Sequence, residues 1–428
     1  MKIRLPFFIS TVAFLTVGVI FSRAEGIWTQ VNIPVKDTLL AVDFVAPDDG
    51  WAVGLHSSIL HWDGNEWEVY PSPVQPSYTA IQMLDPNNGW AVGYGGVIIH
   101  WDGEQWNQVI SPTDYSLYDI SFLSPNVGWA VGGNFTVTDP RDPSTMKVDK
   151  IILNWDGVSW NIVPTPKEFP LNLELLSIGM VSENEGWVAG KGEILRWNGE
   201  EWSRYIPTVP NLEYIDIEDI QVVDAQNVWF VGHKTATGHI LHWDGTELKE
   251  VFKTNLGLYA IDMISPNFGW AVGGNNITSE GGSLLLQWDG VEWKEVQSPT
   301  TLPLQFVWAD SESNGWLLAG GNNPNAGYEG AMFRFVSKSV PSENPTLTST
   351  STPLNEITPT LIPTFVPTEI QENRGTEVFE TLIPTSIVTT NANNGSIYGI
   401  SGLVVGAVCI LLAILLVVFG INKGRGEQ

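Results

Sequence analysis

The chain has 428 residues, with 47 Asp plus Glu against 20 Lys plus Arg, and a formal net charge of −27. A surface that grips phosphates draws its affinity from Lys and Arg, so this balance excludes nucleic acid as a partner. The single cysteine, Cys409, excludes an intrachain disulfide and a thiolate metal cluster.

In chain order, Lys2 and Arg4 precede an apolar run from Leu5 to Phe21, and Ser22-Arg23-Ala24 follows with small residues at the cleavage spacing. This predicts a secretory signal peptide over residues 1–24. All 20 tryptophans then fall between Trp28 and Trp316, which marks one aromatic-rich body over residues 25–340.

Inside that body Gly-Trp recurs at 50–51, 89–90, 128–129, 186–187, 269–270 and 315–316, with Val228-Trp229 filling the gap. Trp-Asp-Gly follows at 62–64, 101–103, 155–157, 243–245 and 288–290, and Trp-Asn-Gly at 197–199. Successive Gly-Trp positions are 39, 39, 58, 42, 41 and 46 residues apart, the period of one four-stranded propeller blade. In the second unit, Thr79–Leu84 reads as the inner strand, Gly89–Gly93 as the second, Val97–Trp101 as the third and Trp106–Val109 as the outer one. Outer strands are predicted to start at Trp67, Trp106, Trp160, Trp202, Leu248 and Trp293. The seventh unit lacks one, and Trp28-Thr29-Gln30-Val31 matches Trp106-Asn107-Gln108-Val109. The expected fold is therefore all-β, a seven-bladed β-propeller closed by an N-terminal outer strand, which removes the open sheet edge.

Past the body, residues 341–395 are rich in Thr, Pro, Ser and Asn and cannot bury enough apolar surface to fold, so they read as a disordered stalk. Ile397 to Ile421 contains no charge and is long enough to cross a bilayer, so residues 396–421 are expected to form a transmembrane helix. Lys423 and Arg425 predict a cytoplasmic tail over residues 422–428. The expected placement is a single-pass cell-membrane protein with its body outside.

Gly-Trp-Ala-Val-Gly followed by Ile-Leu-His-Trp-Asp-Gly resembles the Asp-box, or BNR-type, repeats of bacterial sialidase-like propellers, most closely the photosystem II assembly and stability factor-type repeat group. The resemblance implies a propeller in which the repeated Asp residues form turns. This chain departs from the Asp-box in having Asp63 and Gly64 adjacent and His61 where Ser or Thr is usual. Recognition in that group is associated with a basic patch, whereas this chain is acidic and Arg-poor, so the assembly-factor role does not carry over.

A sialidase-like site needs several arginines converging on a carboxylate. Arg196 and Arg334 fall on predicted third strands and Arg204 on an outer strand, away from the axis; only Arg141 lies in a loop. His61, His100 and His242 occupy one repeat position in different blades, a scattered ring, whereas His233 and His239 share a predicted loop. No cofactor and no metal are expected; Asp139, Asp142 and Asp149 match no calcium-loop spacing.

Turns between first and second strands, and between third and outer strands, are uniform and emerge on one side. The other side carries loops of varied length, including 133–150, 274–282 and 320–330, and variable loops on a rigid frame are where binding concentrates. The candidate ligand-binding residues are Asn134, Phe135, Asp139, Arg141, Asp142, Asn275, Asn276, Asn322, Asn323 and Tyr328. The expected function is a membrane-anchored, non-catalytic binding scaffold for a protein or glycan ligand. A membrane-tethered glycan hydrolase or lyase and an architectural envelope protein are the alternatives.

Overall fold

Each Trp-Asp-Gly segment builds the same turn in the computed structural model. Asp63 Oδ1 accepts the backbone N–H of Asn65 and of Glu66, both at 2.8 Å, and Asp102, Asp156, Asn198, Asp244 and Asp289 repeat the pair. A short side chain that caps its own turn in this way is why Asp or Asn stands there. Gly64 follows at φ +95, where a Cβ would lie 2.8 Å from that of Asp48, so only glycine fits. The preceding tryptophan donates its indole N–H back to the turn between first and second strands: Trp62 to the Pro47 carbonyl, Trp101 to Pro86, Trp155 to Pro125 and Trp288 to Pro266. The motif thus fastens two turns on one side of each sheet.

The structure describes residues 26–137, 146–166, 174–207, 215–275, 282–320, 322–323, 327–328 and 330–337. The segments expected as signal, stalk, helix and tail lie outside them. The described residues belong to the first of two units, Met1–Thr346 and Leu347–Gln428.

Seven four-stranded antiparallel sheets form, with a two-stranded ribbon between Asn322–Asn323 and Gly327–Tyr328. Blade 1 runs Leu39–Ala46, Asp49–Gly54, Ile59–Trp62 and Trp67–Val69. The first strands of blades 2 to 7 are Tyr78–Asp85, Ser116–Ser124, Leu175–Ser182, Asp216–Asp224, Gly257–Ser265 and Leu304–Ser311. Every first strand packs on the next, and the seventh returns to the first. Six outer strands start at the residues expected from sequence. The seventh is Gly26–Val31, paired antiparallel with Ala331–Ser337 so that Trp28 faces Phe335 in register. Both ends of the propeller therefore share blade 7.

Seven apolar clusters fill the seven blade interfaces. At their centres the Gly-Trp tryptophan of one blade enters the next. Trp51 meets Trp101 and Trp106 of blade 2, with ring centroids 4.7 and 5.4 Å apart. Trp316 meets Trp62 and Trp67 across the closing interface at 5.1 and 5.4 Å. Trp28 takes the outer-strand place in the blade 6–7 interface, 5.5 Å from Trp270. Rings of this size meeting edge to face contribute both buried area and quadrupole attraction. Glycine precedes tryptophan because the first strand crowds that spot: a Cβ on Gly50 would fall 2.1 Å from the Phe44 ring.

Candidate binding site at the channel mouth

The first strands leave a central channel with a cavity volume of about 640 Å³. An innermost strand is a sheet edge, and its unpaired N–H groups need partners. They are supplied from the neighbouring blade, by residues seven before the Gly-Trp glycine or two positions earlier. Asp43 Oδ2 accepts the Met83 N–H at 2.6 Å, and Gln82 Oε1 that of Phe122 at 2.7 Å. Asp119 Oδ2 accepts from Ile178 at 2.8 Å, Ser177 Oγ from Ile220 at 3.1 Å and Asp219 Oδ2 from Ile261 at 2.9 Å. Asp262 Oδ2 accepts from Ala309 at 2.6 Å, and the Trp308 indole N–H reaches Asp43 Oδ1 at 3.0 Å to complete the circuit. Each residue seven before the glycine pairs in register with the tryptophan that enters the next blade, as Asp43 does with Trp51, so both point across the same interface.

Burial pushes these carboxyls up: Asp43 and Asp119 to about 6, Asp219 to about 7 and Asp262 to about 8. The Asp119 carboxylate adds to the effect on Asp219, and Asp219 and Asp43 add to it on Asp262.

First strands enter from the variable-loop side, so the position ten before the glycine lines the channel near that end: Leu40, Thr79, Tyr118, Leu176, Glu218, Tyr259 and Gln305. Over blades 2 to 6 these join loop residues in a polar, aromatic arc. The Tyr94 and Tyr118 rings meet edge to face, 6.4 Å apart. The Tyr118 hydroxyl donates to Glu174 Oε1 at 2.9 Å, and Lys191 Nζ lies 3.2 Å from Glu174 Oε2. The backbones of Lys191 and Asp216 pair in an isolated antiparallel β-bridge. His233 Nδ1 lies 3.4 Å from Glu218 Oε1, and its ring stands edge-on to Tyr259 at 6.0 Å. Burial, reinforced by Asp216, pushes the Glu218 carboxyl up to about 7, while burial lowers the His233 imidazole and holds it toward its neutral form.

The arc differs from the residues expected on sequence. Asn134 and Phe135 sit on the extended hairpin Val127–Val137 with Met146–Trp155 of blade 3, opposite Asp149 and Val148. Asn134 is exposed and Phe135 half-buried. Asn322 and Asn323 pair with Tyr328 and Gly327 in the blade 7 ribbon, and the Asn275 N–H donates to the Gly282 carbonyl at 2.8 Å in blade 6. Asp139, Arg141, Asp142 and Asn276 lie outside the described residues. His233 and His239 are on strands, not in a loop: Asn227–Lys234 and Thr237–Trp243 run on to a tight turn, and His239 takes Glu250 as its partner while His233 faces Glu218.

The repeat histidines stack on the tryptophan across the strand, His61 on Trp51 and His100 on Trp90 at 4.4 Å, and His242 on Trp229 at 4.1 Å. Arg196 covers Trp187 and Trp243, and Arg334 covers Trp62 and Trp316, which places both in blade interfaces. Among the described residues no group of three or more His, Cys, Asp or Glu is placed to hold a metal ion.

Residues 21–109 and 101–213 match the family model of the photosynthesis system II assembly factor YCF48. Over that stretch the repeats are similar to those of the photosystem II assembly-factor group. Solved structures agree on the fold. A YCF48 bound to D1 peptide is 16% identical with a TM-score of 0.53, covering 73% of this chain and 95% of that one. YCF48 from Cyanidioschyzon merolae, also 16% identical, has a TM-score of 0.52 and covers 73% and 99%. Virginiamycin B lyase from Staphylococcus aureus, 13% identical, reaches 0.54 over 73% and 99%. No curated protein matches the chain. The likeness to the photosystem II assembly-factor repeat covers the first half of the propeller, and the solved structures share its overall fold.

Proposed function

We propose that this chain is a membrane-tethered, extracytoplasmic binding scaffold that holds a protein ligand over the channel mouth without chemical turnover. The observation that carries the reading is the arc from Tyr94 through Tyr118, Glu174 and Lys191 to His233 and Glu218, side chains of several blades gathered around one opening. Tyrosines of this kind give large contact area at small entropic cost. The related YCF48 whose structure was solved with a D1 peptide shows that a propeller of this repeat type accommodates a peptide. The tether rests on the uncharged run Ile397 to Ile421 and the basic flank after it.

The test presents the full-length chain to a displayed random peptide library and to a glycan array. The expected result is peptide binding that is lost in Tyr118→Ala and kept in Val158→Ala, on the uniform face. Glycan binding with no peptide binding would overturn the protein-ligand reading, and turnover of a glycan would overturn the non-catalytic one.

A further inference from the structure

The channel wall carries acids and no bases. Its lining includes Asp43, Asp119, Glu218, Asp219, Asp262 and Asp310 and no Lys, Arg or His. A cleft of one charge sign concentrates counter-charge in its mouth. Asp43, Asp119, Asp219 and Asp262 are occupied by N–H groups of the next blade. Glu218 is not: among the described residues it accepts no hydrogen bond, and its nearest basic neighbour is His233 Nδ1 at 3.4 Å.

The surrounding groups do not neutralise it. Lys191 offsets the charge only in part and is engaged by Glu174 at 3.2 Å. Asp216 adds a second negative charge. The phenols of the channel mouth direct their protons elsewhere, Tyr118 to Glu174 and Tyr259 to the Gly274 carbonyl at 2.9 Å. The Glu218 side chain is half-buried and held toward its protonated form, and a cation brought by a ligand favours the ionised carboxylate. Among the described residues no cluster is fit to bind a metal ion. Tyrosine rings in the wall suit the methylene stem and charged head of a long basic side chain.

Building on the protein-ligand reading above, we propose that the mouth between Tyr118, Glu218 and Tyr259 receives a lysine or arginine side chain of the bound protein. Such a ligand makes the recognition in this chain opposite in charge to a basic patch.

The experiment uses the full-length chain and two displayed heptapeptide libraries, one complete and one encoded without Lys and Arg. Binders are expected from the complete library alone, and their affinity falls at least about tenfold in Glu218→Gln, because the charge partner is lost while shape is kept. Glu200→Gln, in an exposed turn of the uniform face, leaves affinity unchanged. Equal recovery of binders from the library lacking Lys and Arg, or wild-type affinity in Glu218→Gln, would overturn this inference and leave the protein-ligand reading standing. Absence of binders from both libraries would overturn the two together.

Discussion

Trp308 donates its indole N–H to Asp43 across 3.0 Å, and so the last blade is tied to the first by a carboxylate that also accepts the Met83 N–H of the second at 2.6 Å. One side chain holds three blades. Asp43→Ala leaves both donors without an acceptor, each at roughly 1–3 kcal/mol, so a loss of about 3 kcal/mol is expected by urea unfolding. Asp43→Asn, which keeps one acceptor oxygen, is expected to lose less than half of that.

The same carboxyls give the propeller an unusual response to pH. Asp43, Asp119, Asp219 and Asp262 are raised from 3.8 to about 6, 6, 7 and 8, so between those values the folded chain holds more protons than the unfolded one. Stability therefore falls as pH rises from about 4 to about 8. Asp63, Asp102 and Asp156 in the turns are held below their ordinary value by backbone N–H groups, and their contribution is present above that value and lost as pH falls below it. Thermal unfolding at pH 5 and pH 8 is expected to give the higher midpoint at pH 5, with Asp262→Asn flattening the difference.

Closure by the N-terminal strand gives a further prediction. Trp28 packs on Trp270 and Phe335 at 5.5 and 5.1 Å, and Trp28→Ala is expected to cost about 3–4 kcal/mol, as for other large aromatic truncations. Deleting residues 26–31 exposes the edge of Ala331–Ser337 and is expected to abolish the single cooperative melt. An unchanged melt would contradict ring closure.

Two glycines with positive φ separate backbone strain from crowding. Gly64 at φ +95 has Asp48 within 2.8 Å of an added Cβ, whereas Gly95 at φ +69 has nothing within 4 Å. Gly95→Ala is expected to cost about 1 kcal/mol from the backbone alone, and Gly64→Ala about 2–3 kcal/mol because Asp48 must also move. Denaturant unfolding of both variants checks the order.

The fold was legible because its instructions are local and repeated. Gly-Trp places a tryptophan opposite the first strand, Trp-Asp-Gly closes a turn, and the match between Trp28 and Trp106 identifies the missing strand. The arc was not legible in the same way. Long loops such as 133–150 and 320–330 drew attention to Asn134, Asn322 and Tyr328, whereas Tyr118, Glu174, Lys191 and Glu218 come from ordinary strands and short connections brought together only by ring closure. A signal was available: Leu40, Thr79, Tyr118, Leu176, Glu218, Tyr259 and Gln305 hold one repeat position, yet they differ in chemistry where the preceding position is Leu, Ile or Tyr throughout. The inner-strand acceptors carried a weaker mark, a polar residue seven or nine positions before the Gly-Trp glycine or its Val228 counterpart in blades 1 to 6.

The central claim is that the protein ligand sits over the channel mouth on the variable-loop side. The most direct measurement places a photoreactive benzoylphenylalanine at position 118, and separately at the exposed position 158 on the uniform face, in the full-length chain in its own cells. Irradiation is expected to join a single protein partner to the chain at position 118 and none at position 158. Crosslinking from position 158 with none from position 118 would contradict the account.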